Sequence, residues 1–146
     1  MARTRTQVEA GIPSATLRKL RDICLKLPGA YEERAWVGIR FMVRKRNFAH
    51  LVKIEAGRPP AYARAAGSDG PLLVVTFRAT PSLRDILRDA GPQFFVPAWG
   101  TLWGTKVVGL KLSAATDYRE LAHLLTESHR LLAPHTRGRS RIEEPT

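Results

Sequence analysis

The sequence predicts an α+β protein, an antiparallel β-sheet packed against helices in a two-layer sandwich. Three observations carry this expectation. The segments run in the order helix, hairpin, strand, helix, strand, helix, with apolar spacing switching between the helical and the extended period. The strands are joined by short turns, as an antiparallel sheet with helices on one side requires. The chain has 146 residues, of which 44% are hydrophobic, enough for one domain with its own core.

Residues 1–13 read as a flexible N-terminal arm, 14–134 as a single domain and 135–146 as a flexible C-terminal tail without apolar periodicity. Ser14 offers an N-cap, and Leu17, Leu20, Cys24 and Leu27 follow on one helical face that Pro28-Gly29 stops. Ala30 to Gly38 reads as a connector. Ile39 to Val43 is an ascending strand, Arg44-Lys45-Arg46-Asn47 a turn, and Phe48 to Ile54 the returning strand. Ile39, Phe41 and Val43 alternate with Arg40 and Met42, which makes one face apolar and the other partly basic.

Residues 56–71, rich in Gly, Pro and Ala, read as a long, mobile loop. Leu72 to Arg78 is a β-rich run. Thr80-Pro81 supplies an N-cap with proline at the first helical position, and Leu83, Ile86, Leu87 and Ala90 form the expected buried stripe before Gly91-Pro92. Phe94 to Gly104 is aromatic and turn-like, and Thr105 to Leu112 is a strand. Thr116 is the expected cap of a last helix, with Asp117 at its positive dipole end. Tyr118, Leu121, Leu124, Leu125, Ser128 and Leu131/Leu132 trace the inner face of that helix, and Pro134 ends it.

The stretch Arg34 to Lys53 carries six basic residues and no acidic one. Net charge is +11 over the chain, and +9 of it belongs to residues 14–133. Such a surplus suits a polyanion such as nucleic acid or an anionic membrane. Only six of the 24 basic residues are lysine, and a compositional preference for arginine gives the same charge with no function attached. A cationic turn projecting from a sheet is what a groove-probing wing needs, and it is also the form of an ordinary solvated turn.

Motifs for catalysis or cofactors are missing. The four histidines (50, 123, 129, 135) contain no i, i+4 pair, and the lone Cys24 offers neither a CxxC nor a disulfide. Cys24 sits on an apolar helix face as an inert thiol, and His50 fits a satisfied strand histidine. There is no phosphate-binding glycine loop and no GxSxG elbow. Glu32 and Glu33 are adjacent and point opposite ways in an extended segment, so they form no acid–base pair. No cofactor or metal is expected. Trp36, Trp99 and Trp103 are open both to base stacking and to core packing. No signal peptide precedes the domain and no apolar run reaches a membrane span, so a cytoplasmic protein without a membrane partner is expected.

Leu27-Pro28-Gly29-Ala30-Tyr31-Glu32 is similar to the LPGAxE signature of the MmcQ/YjbR family. Further similarities follow in order: Trp36-Val37-Gly38, Arg40-Phe41 with Phe48-Ala49-His50, Thr76-Phe77-Arg78, Ala90-Gly91-Pro92 with Phe94-Phe95, Pro97-Ala98-Trp99-Gly100, Val107-Val108-Gly109, Leu124 to Ser128, and Leu132-Ala133-Pro134. The resemblance implies a frataxin-like (CyaY-like) fold and a double-wing DNA-binding role, and it transfers no catalytic residue. The chain departs from the family where many members place a glycine in the first hairpin turn. It has Lys106 where Trp or an acidic residue is common.

The leading expectation is a non-enzymatic DNA-binding module with little sequence preference. Arg44, Lys45, Arg46 and Asn47 would contact phosphates, with Arg40 and Lys53 beside them. A second projection from Trp99 to Lys106, including Trp103, would form the other wing. The alternative is a small-molecule or protein-interaction module, with residues 56–71 and Phe94, Phe95, Trp99 and Trp103 lining a groove. An enzyme acting on an anionic metabolite would need a deep pocket around Glu32 or His50.

Overall fold

A computed structural model describes residues 11–99 and 104–133. Residues 1–10 of the expected arm, the expected tail 135–146, and residues 100–103 of the second projection, Trp103 among them, lie outside the described residues. The elements are α1 (Ser14–Cys24), β1 (Tyr31–Arg34), β2 (Ile39–Val43), β3 (Arg46–Ile54), α2 (Pro60–Ala66), β4 (Leu72–Ala79), α3 (Pro81–Arg88), β5 (Phe94–Phe95), β6 (Lys106–Lys111) and α4 (Tyr118–Leu132). The strands form one antiparallel sheet in the order β1-β2-β3-β4-β6-β5. The α+β class and the packing of sheet against helices agree with the sequence.

The main core lies between the sheet and helices α1, α3 and α4. Leu17, Leu20 and Cys24 of α1 meet Ile39, Phe41, Val43, Phe48 and Leu51 of the hairpin and Leu121, Leu125 and Leu132 of α4. Ile12 joins this core, so the arm expected over 1–13 is packed from Ile12 onward. On the other sheet face a smaller cluster gathers Val52, Ile54, Val74 and Phe95 under Ala63 and Ala66 of α2. The Phe95 ring occupies the space over Gly109, where any Cβ would stand 2.2 Å from it. Only glycine at 109 lets β5 close that edge.

Several expectations need correction. The connector before β2 contains β1, a short edge strand whose Glu and Arg side chains hide the period-2 pattern. Residues 56–71 are not a bare loop, because Pro60 sits at the first helical position and an alanine-rich turn follows to Gly67. Phe94–Phe95 is a strand rather than part of a turn. Ile86 is 64% exposed, since α3 rests on Leu83 and Leu87 alone. The cap of α4 is Asp117, which accepts from Arg119 and Glu120 N–H, whereas the Thr116 hydroxyl accepts from Ser113 N–H. A carboxylate at that position also meets the positive end of the helix dipole. Likewise α1 begins at Ser14 after Pro13, with no side-chain cap.

The β2–β3 turn is also tighter than expected. Val43 pairs directly with Arg46, so Arg44-Lys45 is a two-residue connection and Arg46 and Asn47 belong to β3. A bulge follows. Phe41 pairs with Ala49 and Met42 with Asn47, leaving Phe48 as the extra residue. The extra residue shifts the alternation, so Phe48 enters the main core while Asn47 faces the opposite side.

Ser128 of α4 holds this irregularity. Its hydroxyl donates to Phe48 O at 2.6 Å and accepts from Arg78 N–H at 2.8 Å. One buried hydroxyl thus serves two backbone groups from neighbouring strands. His129 adds an edge-on contact to the Phe48 ring, and its Nε2 donates to Pro28 O at 2.7 Å. Ser128→Ala leaves a buried donor and a buried acceptor without partners. It is expected to cost about 2 kcal/mol, against less than about 0.5 kcal/mol for Thr126→Ala on the exposed side. The urea midpoints of the two variants check this, and equal midpoints would show that the bulge does not depend on the hydroxyl.

Candidate functional site

Strand register decides which charges share a place. Val43 pairs with Arg46, Ala49 with Phe77, Arg78 with Val107 and Ala79 with Lys106. The end of β2, the start of β3, the end of β4 and the start of β6 therefore lie side by side. This end of the sheet carries Arg44, Lys45, Arg46, Arg78 and Lys106, and no residue forming it is acidic. Four neighbouring strands at the usual spacing make a cationic rim about 15 Å long. The opposite end carries Arg34, Lys53, Arg58 and Lys111 but also Glu55 and Asp69, so there carboxylates stand among the cations and offset part of their charge.

The turn itself is strained. Arg44 has φ 52° and Lys45 φ 66°, the left-handed pair of a type I′ turn. Asn-Gly is the preferred pair there, and a side chain with a Cβ costs roughly 1–2 kcal/mol per residue. Both side chains are exposed, and neither is ion-paired among the described residues. The Arg46 guanidinium curls back and donates to Arg44 O at 3.0 Å, bracing the turn.

Beside the rim, the Tyr62 side chain of α2 reaches over the outer sheet face. Here His50 pairs with Thr76 across β3 and β4. His50 Nε2 lies 2.7 Å from Val37 O and must donate, so Nδ1 accepts from the Tyr62 hydroxyl at 3.1 Å. The Thr76 hydroxyl bonds the same phenol. Tyr62 then packs against Trp99, with ring centroids 5.1 Å apart. Beside this network a recess of about 160 Å³ is lined by Asn47, Tyr62, Thr76, Arg78, Trp99 and Val107. Burial lowers the pKa of the half-buried Arg78. Arg40 shares this face, pairs with Glu33 at 2.7 Å and keeps its buried Nε–H without an acceptor among the described residues.

The sequence-derived candidates thus fall in three places. Arg44, Lys45 and Arg46 share the rim with Lys106, while Asn47 lines the recess beside it. Arg40 lies mid-strand in an ion pair. Lys53 is not beside the turn: it sits near the far end of β3, on the face of Leu51, 3.5 Å from Glu55. Two-residue alternation along β3 fixes that placement. Trp103 lies outside the described residues. Arg78 and Tyr62 were missed because their neighbours come from distant strands, a relation that only register reveals. Trp36 is fully exposed at the β1–β2 turn, the end of β2 away from the rim.

Other candidate chemistry is quiet. Burial and the charge of Glu32 push the Cys24 thiol far above its ordinary range, so it stays protonated and unreactive. Glu32 accepts two bonds from Arg21 at 2.8 Å, tying α1 to β1. Among the described residues no three His, Cys, Asp or Glu side chains converge to hold a metal, and no helix is long and apolar enough to cross a membrane.

Burial lowers the His50 pKa. The bond to Val37 partly opposes this, and the Arg40 charge adds to it. The unfolded chain, with an imidazole near the ordinary value of about 6.5, takes up a proton that the folded protein resists. The neutral ring stabilises fully above about pH 6.5, and that contribution is lost as pH falls through the lower folded pKa. Unfolding free energy is therefore expected to drop as pH falls below about 6.5, and His50→Gln to flatten that segment of the profile. A variant profile as steep as the parent's would assign the loss to other groups.

The YjbR family model matches residues 25–131. A crystal structure of a Deinococcus radiodurans protein carrying the domain DUF419 is similar over 87% of this chain and 83% of its own. It shares 22% identity, with a TM-score of 0.58. A crystal structure of a Pseudomonas syringae protein is similar over 78% of this chain and 96% of its own, at 18% identity and a TM-score of 0.59. At these identities the two structures speak for the fold alone. No curated protein matches the chain. The matched span runs from the end of α1 into α4 and includes the whole sheet, and the chain belongs to the YjbR family.

Proposed function

We propose that the protein is a non-enzymatic module that binds a polyanion, duplex DNA first, through the cationic rim of its sheet. The observation that carries this is the gathering of Arg44, Lys45, Arg46, Arg78 and Lys106 on one end of four adjacent strands without an acid among them. An incidental surplus of arginine would scatter among carboxylates, as it does at the opposite end. The strained turn supports the same reading. Arg and Lys occupy two positions where Asn-Gly would be more stable, and strain retained at a surface turn points to use rather than folding. Contacts of this kind reach phosphates, so binding would be salt-sensitive and largely indifferent to sequence. A cytoplasmic location fits this partner and the single protonated thiol.

The double variant Arg44→Asn, Lys45→Gly separates function from folding. It places the favoured pair in the turn, so thermal stability is expected to rise, by about 1–2 kcal/mol. Fluorescence anisotropy with a random duplex of about 20 base pairs is expected to lose about two units of salt slope, one for each phosphate contact removed. A stabilised variant with an undiminished slope would take the turn out of the interface.

A further inference from the structure

The recess on the outer face differs from the rim in kind. It is concave, aromatic on one side and polar on the other, and at about 160 Å³ it is well below the ~300 Å³ at which pockets for drug-sized ligands begin. A single flat ring with a short polar attachment matches its scale. Its walls are held in place by the His50–Tyr62–Thr76 network, whose hydroxyls and ring nitrogens already have partners. Trp99 leans on Tyr62 and is one of the few large apolar side chains left exposed. The Asn47 amide, with both a donor and an acceptor, makes no hydrogen bond among the described residues. The half-buried Arg78 guanidinium stands across from it on β4.

We propose that this recess holds one unpaired nucleobase, stacked on Trp99, with its edge read by Asn47 and its phosphate neutralised by Arg78. The chemistry follows from the groups. An indole face stacks on any base, a side-chain amide pairs with a base edge, and a guanidinium matches a phosphate in planar geometry. Asn47 stands two residues after Lys45, so a strand running along the rim passes the mouth of the recess. A paired base cannot enter, because its edge is occupied and its faces are stacked. The proposal rests on the nucleic-acid reading of the rim and adds to it a preference for unpaired strands. A free mononucleotide carries the same base and phosphate, so it is a second possible source of the ligand.

The test compares a single-stranded oligothymidylate of about 20 nucleotides with a duplex of the same length by anisotropy. The single strand is expected to bind tighter despite its lower charge. Trp99→Ala and Asn47→Ala are each expected to weaken single-strand binding by about tenfold while changing duplex binding by less than about twofold. The Asn47 variant carries the test if the Trp99 variant fails to fold. Thymidine monophosphate distinguishes the sources. Competition near the affinity of the strand identifies the free nucleotide, whereas competition only at far higher concentration identifies the strand, and either supports the chemistry. Equal losses for strand and duplex, or no loss in either variant, would overturn the recess assignment. Retention of duplex salt slope by the Arg44→Asn, Lys45→Gly protein would instead count against the rim, so the two failures are distinguishable.

Discussion

The Ser128 hydroxyl, bonded to Phe48 O and Arg78 N–H, is the interaction on which the arrangement of the outer sheet face depends. An ideal β3 would alternate through Leu51, His50, Ala49 and Phe48, sending the phenyl ring outward and Asn47 inward. The extra residue at Phe48 reverses this for the first part of the strand. The ring drops into the main core against His129, and Asn47 turns to the outer face. Bulges disrupt their ladder and leave backbone groups in need of partners. A serine on a core-facing helix supplies both, at the point where β3 and β4 deliver their cations to one end of the sheet.

The two sheet faces are unequal in consequence. The inner face is closed by α1, α3 and α4 and accounts for most of the apolar burial. On the outer face α2 and Phe95 rest over Val52, Ile54, Val74 and Gly109. Between that cover and the rim, polar side chains satisfy one another: His50 to Val37 and Tyr62, Tyr62 to Thr76, Arg40 to Glu33. A neutral His50 suits this arrangement, because its Nδ1 then accepts from the phenol and no second charge stands near Arg40. His50 and Thr76 are thus buried in a satisfied polar network beside the recess.

Much of the fold was legible because its elements are periodic. Ile39, Phe41 and Val43 alternate onto the inner face as read, and the inner positions of α1 and α4 fall at Leu17, Leu20, Leu121 and Leu125. Elements without a period were lost: β1 is built of Tyr, Glu, Glu and Arg, and α2 is a seven-residue alanine turn between prolines and glycine. The site was legible only in part. Charge density pointed to Arg44–Arg46, but the bulge adds a residue that no alternation rule anticipates, so the outward turn of Asn47 could not be read. Ser128 was placed correctly on the inner face, yet its partners lie 50 and 80 residues away in sequence. Arg78 and Lys106 become neighbours of the turn only through sheet order, and Lys53 leaves it for the same reason.

The proposed function puts one end of the sheet against a polyanion. The most direct measurement is a backbone amide titration by two-dimensional nuclear magnetic resonance with unlabelled duplex at low salt. Shifts concentrated at Arg44 to Asn47, Arg78 and Lys106, with Lys53, Glu55, Asp69 and Lys111 unmoved, are the expected result. Shifts spread evenly over both ends, or centred on the Lys53 to Asp69 end, would contradict it.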